Sequence, residues 1–318
     1  MCKFLGIDTS CYTTSLAVVD AGGKLITEHR QLLKVPLGAK GLQQSSAVFQ
    51  HVQNLPLLLE KVAGEVNFAQ LSGVVTSSRP RPVEGSYMPV FTVGSGFGRA
   101  IAASLKIPFL ITSHQEGHLM AGLWSAKANI PPRFLAVHLS GGTSELLLVE
   151  MAKKGGVVFK AELLGGTTDL HAGQLVDRVG VALGLPFPAG PHLQNLAMGA
   201  QGKLSIPAAV RKYCFSFSGA ETRAKDYINR GEEPAEIARA VEKCIAKTLE
   251  KVLRLAVDQY SCHDILLVGG VACNSFLRAR LKERLEHRAV GARLHFAESR
   301  YSSDNAVGTA LLGPLLAT

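Results

Sequence analysis

The chain has 318 residues, of which 47% are hydrophobic and 19% are charged. This composition provides for a sizeable core and excludes intrinsic disorder, and the length fits one large domain or two of ordinary size. Lys and Arg outnumber Asp and Glu by 34 to 25, which gives a net charge of +9. That charge favours an anionic partner, either a polynucleotide or a phosphate-bearing small molecule, although a generally basic soluble protein would carry it too.

Cysteines and apolar runs narrow the class of protein further. The six cysteines form no C-x-x-C pair, and no uninterrupted apolar stretch reaches 18 residues, so we expect neither a disulfide framework nor a membrane span. Lys3 and Asp8 interrupt the apolar N-terminal segment, which is therefore not a signal peptide. These features predict a cytoplasmic protein.

An internal repeat organises the chain. Phe4–Asp20 aligns without gaps on Phe134–Glu150, with six of 17 positions identical at a constant offset of 130. Each copy has the pattern of a strand, a tight polar turn and a second strand. Two short hydrophobic runs can resemble each other by chance, but the match of turn and strands in register favours duplication.

After the first hairpin, the sequence alternates between helical and strand patterns. It predicts a helix at 45–62 that Pro56 kinks or divides, a strand at 73–76, a Pro-rich loop at 78–85, a helix near 93–105 and a strand at 109–112. The segment GSGFGR, which begins at Gly94, lacks the G-x-G-x-x-G spacing and lies inside a helical stretch. Its glycines therefore indicate close helix packing rather than a nucleotide loop.

His114 and His118 are the one histidine pair spaced i, i+4. Thr112 or Ser113 could cap a helix here, which would place both imidazoles on one helix face, as metal ligation requires. Two unrelated helix histidines are the alternative. Glu116 stands two residues after the first histidine and projects from another face, so the H-E-x-x-H chemistry of zinc proteases is not supported.

The second half of the chain repeats the alternation. A long helix is predicted from Pro234, with an apolar stripe at Ile237, Val241, Cys244, Ile245, Leu249, Val252, Leu253 and Ala256. The buried strand DILLV then runs into two glycines and a helix with Asn274 near its start, where an amide could contact a ribose or a base. The basic residues at 278–284 could face nucleic acid, although a solvated helix face is the default interpretation.

The C-terminal segment YSSDNAVGTALL predicts a final helix that begins near Ser303. Asp304 is then a candidate third metal ligand. The alternative is that it only caps this helix.

The turn of the second hairpin suits an anion. Gly141 and Gly142 let backbone N–H groups approach closely, and Ser140 and Thr143 add hydroxyl groups, although an ordinary tight turn would look the same. Duplicated α/β halves that each open with such a hairpin are typical of the actin, Hsp70 and sugar-kinase (ASKHA) superfamily, with a central nucleotide cleft. We therefore predict a duplicated two-lobe α/β fold, with an N-terminal lobe at 1–131 and a C-terminal lobe at 132–318 that has a helical insertion at about 170–230.

The motifs together resemble the TsaD family, the bacterial tRNA threonylcarbamoyltransferases once labelled glycoprotease-like. In chain order they are TSC, QHVQNLPLLLE, HQEGH, LSGGTSEL, AGQLVDRVGVALGLPFPAGP, FSFSGAETR, GGVACNSFLR and YSSDNAVG. The resemblance runs essentially from end to end. It implies transfer of a threonylcarbamoyl group from threonylcarbamoyl-AMP to the exocyclic amine of the tRNA adenosine beside the anticodon.

The resemblance also implies roles for individual residues. One divalent metal ion, iron rather than zinc, is implied at His114, His118 and Asp304. Substrate binding is implied at His138, Leu139, Ser140, Gly141, Gly142, Asp177, Gly190 and Asn274. The implied partners are tRNA, threonylcarbamoyl-AMP or ATP/AMP, and proteins of a threonylcarbamoylation complex that include a paralogue of the same fold.

The chain departs from the family pattern in both hairpins, which makes it a divergent member. Tyr12 and Thr13 stand where the family has an acidic pair, and Thr143 follows Gly142 where the family has a histidine. Two other functions therefore stay open. One is a metal-assisted ATPase or phosphotransferase, with Asp8 as a magnesium ligand or water-positioning residue. The other is a non-catalytic paralogue that acts as a scaffold in the modification complex.

Overall fold

A computed structural model describes residues 2–10, 12–36, 42–127, 129–152 and 158–317, so Cys11 of the TSC motif lies outside the described residues. The chain forms two compact units. The first contains Met1–Lys127, Met151–Lys160 and Arg300–Thr318, and the second contains Ala128–Glu150 and Ala161–Ser299. The lobe boundaries at 131 and 132 stay a prediction.

The first half of the chain contributes one sheet and the helices beside it. Its elements are β1 (Lys3–Asp8), β2 (Thr13–Asp20), β3 (Leu25–Leu32), α1 (Gln44–Glu65), a 3-10 turn (Phe68–Gln70), β4 (Leu71–Arg79), α2 (Val90–Leu105), β5 (Phe109–Ser113) and α3 (His114–Ala126). The strand order is β3-β2-β1-β4-β5.

The second half contributes a further five-stranded sheet, of order β12-β11-β6-β7-β8, a two-stranded sheet and the remaining helices. Its elements are β6 (Arg133–Leu139), β7 (Ser144–Met151), β8 (Phe159–Gly166), α4 (Ala172–Ala182), α5 (Gly190–Ala197), β9 (Ala209–Arg211), β10 (Cys214–Ser216), α6 (Ser218–Asn229), α7 (Pro234–Tyr260), β11 (Asp264–Val268), a 3-10 turn (Gly270–Cys273), α8 (Ser275–Leu285), β12 (Arg293–Phe296), α9 (Ser299–Ser302), α10 (Val307–Leu311) and α11 (Gly313–Leu316).

The two five-stranded sheets share one topology. In each, an antiparallel hairpin is extended by two parallel strands. Phe4 pairs with Val19 in the first hairpin and Phe134 pairs with Val149 in the second, so the register repeats at the same offset of 130. The predicted duplicated α/β fold is confirmed.

Two of the three glycines of GSGFGR, Gly94 and Gly98, pack α2 against the first sheet, whereas Gly96 is exposed. A Cβ atom on Gly94 would lie 2.9 Å from Thr9 Oγ1, and one on Gly98 would overlap Thr76 Cγ2 on β4. Both glycines are buried. The predicted close packing of this helix is therefore confirmed.

Helix α7 carries the core of the second unit. It begins at Pro234, and every residue of its predicted apolar stripe is buried. Together with residues of α4, β6, β11 and α8 the stripe forms one hydrophobic cluster, so the periodicity of the sequence identified this core correctly.

One prediction on local structure is wrong: no helix begins at Ser303, because α9 ends at Ser302 and α10 begins at Val307. Helix α1 contains Pro56 and runs from Gln44 to Glu65, so this proline does not divide it, and a kink stays a prediction. In the basic run of α8, Lys282 and Arg284 are exposed, as a solvated face requires, whereas Arg278 is half-buried and donates hydrogen bonds to the carbonyl oxygens of Ala272 and Ala297. Within the described ranges, no helix is long and apolar enough to cross a membrane.

Candidate metal centre and substrate-binding residues

Helix α3 begins at His114 because a capping box fixes its first turn. Ser113 Oγ accepts a hydrogen bond from the backbone N–H of Glu116 at 3.2 Å, and Glu116 Oε2 accepts one from the backbone N–H of Ser113 at 2.9 Å. The predicted cap at Ser113 is confirmed. His114 and His118 therefore lie one turn apart, with ring centroids separated by 4.4 Å. Glu116 Oε2 also accepts a hydrogen bond from Thr112 Oγ1, so this carboxylate stabilises the N-terminus of α3.

Asp304 lies in the segment between α9 and α10 and does not cap a helix. Asn305 shapes this segment instead: its Oδ1 accepts from the backbone N–H of Val307, and its Nδ2 donates to the carbonyl oxygens of Tyr301 and Ser303. The interpretation of Asp304 as a helix cap is therefore wrong. Its carboxylate faces α3, with Oδ1 3.3 Å from His118 Nε2 and 3.4 Å from His114 Nε2.

The three side chains form a compact triangle of donor atoms. The Nε2 atoms of His114 and His118 lie 3.0 Å apart, which completes the triangle with Asp304 Oδ1. Two ligand atoms that each lie about 2.1 Å from one ion, at angles of about 90–110°, are about 3.0–3.4 Å apart. The donor set of two imidazoles and one carboxylate suits Fe²⁺ or Zn²⁺, so these residues fit a metal ion. No second such group occurs among the described residues.

Asp8, the last residue of β1, orients the first of these imidazoles. Its Oδ2 lies 3.0 Å from His114 Nδ1 and accepts from Ser77 Oγ at 2.8 Å. Its Oδ1 accepts from the backbone N–H of Ser10 at 2.8 Å. A carboxylate on Nδ1 places the ring proton there and leaves Nε2 as a lone-pair donor. Sequence reasoning missed this role, although an acid that ends the apolar strand KFLGI was a usable signal.

The four groups lie close enough together for the charge of one to shift the pKa of another. Burial alone would lower the pKa of His114, but the charge of Asp8 and hydrogen bonds with Asp304 and Asp8 raise this pKa to about 10. Burial and the charge of His114 lower the pKa of His118. Burial alone would raise the pKa values of Asp8 and Asp304, but His114 holds both below the ordinary value, together with Ser10 at Asp8 and His118 at Asp304. The site therefore keeps two buried carboxylates charged, and His114 supplies positive charge between them.

A further histidine, His51, is fully buried on α1, within the QHVQNLPLLLE segment. Its Nδ1 lies 2.8 Å from Thr14 Oγ1 on β2. Burial lowers the pKa of His51 to about 4, so the imidazole is neutral at physiological pH. It joins the helix to the sheet.

The turn between β6 and β7 contains the residues from His138 to Gly142. His138 and Leu139 are buried at the end of β6. Ser140 Oγ accepts hydrogen bonds from the backbone N–H groups of Gly142 at 3.2 Å and Thr143 at 3.0 Å. A Cβ atom on Gly141 or Gly142 would meet nothing within 4 Å, so both glycines border open space.

Helix α4 begins directly against this turn. A Cβ atom on Gly173 would lie 2.6 Å from the backbone nitrogen of Gly141. Further along α4, Asp177 Oδ1 accepts from the backbone N–H of Ala189 at 2.8 Å, just before Gly190 begins α5. Burial raises the pKa of Asp177. Asp177 thus fixes the start of α5, where Gly190 lies.

Asn274 caps α8. Its Oδ1 accepts from the backbone N–H of Leu277 at 2.9 Å, and its Nδ2 donates to Glu242 Oε1 at 2.6 Å. The next residue, Ser275, donates its backbone N–H to Gln194 on α5 at 2.8 Å. The structure thus joins the starts of α5 and α8 within the second unit, and both functional groups of the Asn274 amide are engaged.

Comparison with known sequences supports one family. The family model described as tRNA N6-adenosine threonylcarbamoyltransferase (TsaD) matches residues 38–311. A protein of that name from Thermus thermophilus is 34% identical, over 96% of this chain and 90% of the relative. Another, from Buchnera aphidicola subsp. Cinara cedri, is 33% identical over 98% and 91%.

Solved structures that resemble the chain share its fold at low sequence identity. Full-length HypF in its phosphate- and nucleotide-bound form superposes with a TM-score of 0.63 at 12% identity, over 99% of this chain and 55% of that chain. A ROK family glucokinase from Streptomyces griseus superposes with a TM-score of 0.53 at 13% identity, over 98% of both chains. These similarities support the ASKHA-type fold alone.

Proposed function

The chain belongs to the tRNA N6-adenosine threonylcarbamoyltransferase family, and we propose on this basis that His114, His118 and Asp304 hold the metal ion of its reaction. The protein is an acyltransferase of tRNA modification. It transfers a threonylcarbamoyl group from threonylcarbamoyl-AMP to the exocyclic amine of a tRNA adenosine. The family is metal-dependent, and the His, His and Asp group supplies a matching donor set.

The observation that carries the metal assignment is the triangle of donor atoms, with edges of 3.0, 3.3 and 3.4 Å. Two imidazoles and one carboxylate on one side of an ion leave its other positions open, which is the arrangement of many Fe²⁺ enzymes. We therefore propose iron as the resident ion, in preference to zinc.

The reaction replaces one acyl bond by another. The tRNA amine attacks the carbonyl carbon of the mixed anhydride, a C–N bond forms, the bond to the AMP phosphate oxygen breaks, and the amine loses a proton. When bound, the metal ion supplies a Lewis acid that stabilises developing negative charge. Asp8 holds the proton of His114 at Nδ1, so that Nε2 stays available as a ligand.

The adenylate is assigned to the residues of the second unit. We propose that the turn at Ser140, Gly141 and Gly142, next to His138 and Leu139, faces its phosphate. Backbone N–H groups at glycines that border open space suit an anion. Asp177, Gly190 and Asn274 are proposed to contact the ribose and adenine. For Asn274 this requires the adenine edge to compete with Glu242 for the amide.

The proposed partners follow from the substrate. The net charge of +9 favours binding of the tRNA backbone. We also propose that the protein works where tRNA is modified, in the cytoplasm, together with proteins of a threonylcarbamoylation complex that include a paralogue of the same fold.

The geometry of Asp8 disfavours the ATPase alternative. That function would need the Asp8 carboxylate as a magnesium ligand or water-positioning group. Both of its oxygens are already engaged, with Ser10, Ser77 and His114, and the residue is 1% exposed. Asp8 therefore acts on the His114 ring rather than on a nucleotide.

The function is tested by incubating the protein with threonylcarbamoyl-AMP and unmodified tRNA, with and without the partner proteins, followed by mass analysis of the nucleosides. We expect modified adenosine from the wild type, and its loss in His114→Ala because one metal ligand is gone. His263→Ala, at an exposed position of the second unit, is the matched control and should retain activity.

Equal product from the His114→Ala variant would contradict the metal assignment. Binding of the adenylate without any transfer, even with partners present, would instead identify a scaffold. In that case the departures from the family pattern at Tyr12, Thr13 and Thr143 would account for the loss of transfer activity.

A further inference from the structure

Helix α10, which follows Asp304, touches α3 backbone to backbone. A Cβ atom on Gly308 would overlap the carbonyl oxygen of Gly117 and would lie 2.8 Å from the backbone nitrogen of Ala121. Gly117 sits between the two histidines on α3, and a Cβ atom there would lie 3.1 Å from Thr309 Oγ1. No side chain fits between the two helices at this point.

On its other side, α10 touches β1 in the same way. A Cβ atom on Gly6 would lie 2.6 Å from the carbonyl oxygen of Ala306 and 2.7 Å from Ala310 Cβ. Gly6 stands two residues before Asp8, which holds the His114 ring. One glycine on each of three elements therefore lets β1, α10 and α3 pack at backbone distance.

We propose that Gly6, Gly117 and Gly308 are positioning residues of the metal site, an inference that rests on the metal assignment made above. Each lies within four residues of a proposed metal ligand or of the carboxylate that orients one. Gly6 is near Asp8, Gly117 is near His118, and Gly308 is near Asp304. The contacts at these glycines set the spacing of the ligand-bearing elements and so bring the Asp304 carboxylate to 3.3–3.4 Å from the two imidazoles.

The expected sensitivity follows from the geometry of coordination. Metal–ligand distances tolerate errors of only about 0.2 Å. A methyl group on Gly308 must move α10 away from α3 by more than that, because its neighbours are backbone atoms that cannot rotate aside. Asp304 then moves with the helix, while the two histidines stay on α3.

The test measures Zn²⁺ affinity by chelator competition, alongside thermal unfolding of the metal-free protein. We expect Gly308→Ala to weaken Zn²⁺ binding by about 10- to 100-fold at a temperature where the variant is folded. Gly98→Ala is the matched control. It also forces a Cβ atom into a packed contact of the first unit, against Thr76 and Phe109, but α2 carries no ligand. It should lower the unfolding temperature and leave Zn²⁺ affinity unchanged.

A second pair of variants covers the case in which Gly308→Ala does not fold. Gly117→Ala places its methyl group against Thr309 Oγ1, a buried atom that has no hydrogen-bond partner among the described residues. We expect Gly117→Ala to weaken Zn²⁺ binding and the added Thr309→Ala change to restore it. A merely structural role would move only the unfolding temperature in these two variants and leave Zn²⁺ affinity unchanged.

Wild-type affinity in Gly308→Ala, or an equal loss in Gly98→Ala, would overturn the positioning role and leave the metal site standing. If the wild type itself bound no Zn²⁺, the metal assignment would fall and this inference with it. The two failures are therefore distinct.

Discussion

At the scale of single residues, the proposed metal site depends on a carboxylate that would not itself contact the ion. Asp8 is buried, and hydrogen bonds from Ser10 and Ser77 fix its two oxygens. It therefore meets His114 Nδ1 in a fixed geometry and determines which ring nitrogen carries the proton. A residue of this kind affects metal affinity without being a ligand.

We expect Asp8→Asn to weaken metal binding by about 10- to 100-fold, because an amide can present either its oxygen or its NH₂ group to the ring and no longer stabilises the orientation. Zn²⁺ affinity measured by chelator competition checks this. Asp20→Asn, on the partner strand, is the control, since the amide oxygen can still accept from the N–H groups of Gly22 and Lys24. Unchanged affinity in Asp8→Asn would remove Asp8 from the site.

At the scale of elements, the start of α3 decides where its histidines point. The box of Ser113 and Glu116 satisfies two backbone N–H groups and fixes His114 as the first helical residue. The side chains of Ser113 and Glu116 are both buried, so water cannot readily take over their hydrogen bonds if either side chain is removed. A helix that began one residue later would leave His114 outside its first turn and so change the position of that imidazole relative to His118.

We expect Ser113→Ala to lower the free energy of unfolding by about 1–2 kcal/mol, because it removes a buried helix cap. Urea denaturation monitored by circular dichroism measures the loss. Ser46→Ala, at an exposed position in the first turn of α1, is the control and should change the free energy by less than about 0.5 kcal/mol. Equal effects of the two substitutions would show that the capping box does not stabilise α3.

At the scale of the whole molecule, each compact unit has its own core and its own ion pairs. In the second unit, Asp264 at the start of β11 joins the neighbouring edge strand β12. Its Oδ1 accepts from Arg293 Nε at 2.9 Å and lies 2.8 Å from His295 Nε2, and Arg293 Nη2 pairs with Oδ2. Hydrogen bonds from Arg293 hold the pKa of Asp264 below its ordinary value of 3.8, although burial acts in the opposite direction.

This lowered pKa gives Asp264 a defined pH dependence. A carboxylate with a lowered folded-state pKa stabilises the fold above its unfolded pKa, and the stabilisation is lost as the pH falls through the folded value. Asp264→Asn should therefore lower the urea midpoint by roughly 0.5 M at pH 7 and by much less at pH 3. Asp258→Asn, exposed on α7, is the control and should show neither effect. A difference that persisted at pH 3 would assign the effect to packing rather than charge.

The sequence by itself determined the elements whose information is local. Repeated hairpins, the apolar stripe of α7, the cap at Ser113 and the packing glycines of α2 all follow from patterns within a few turns or strands of chain. The same local information placed His114 and His118 on one helix face. Local information failed at the C-terminus, where a helix was expected to begin near Ser303. There the side chain of Asn305 hydrogen-bonds to the backbone of Ser303 and Val307 and holds a turn instead.

The tertiary structure decided what depends on contacts between distant segments. Asp304 meets His118 across 186 positions of sequence, and Asp8 meets His114 across 106. No local pattern encodes such distances, because they are set by how closely β1, α10 and α3 pack, and that packing depends on glycines whose partners are far along the chain. For the same reason the engagement of Asn274 with Glu242 could not be read from the residues around it.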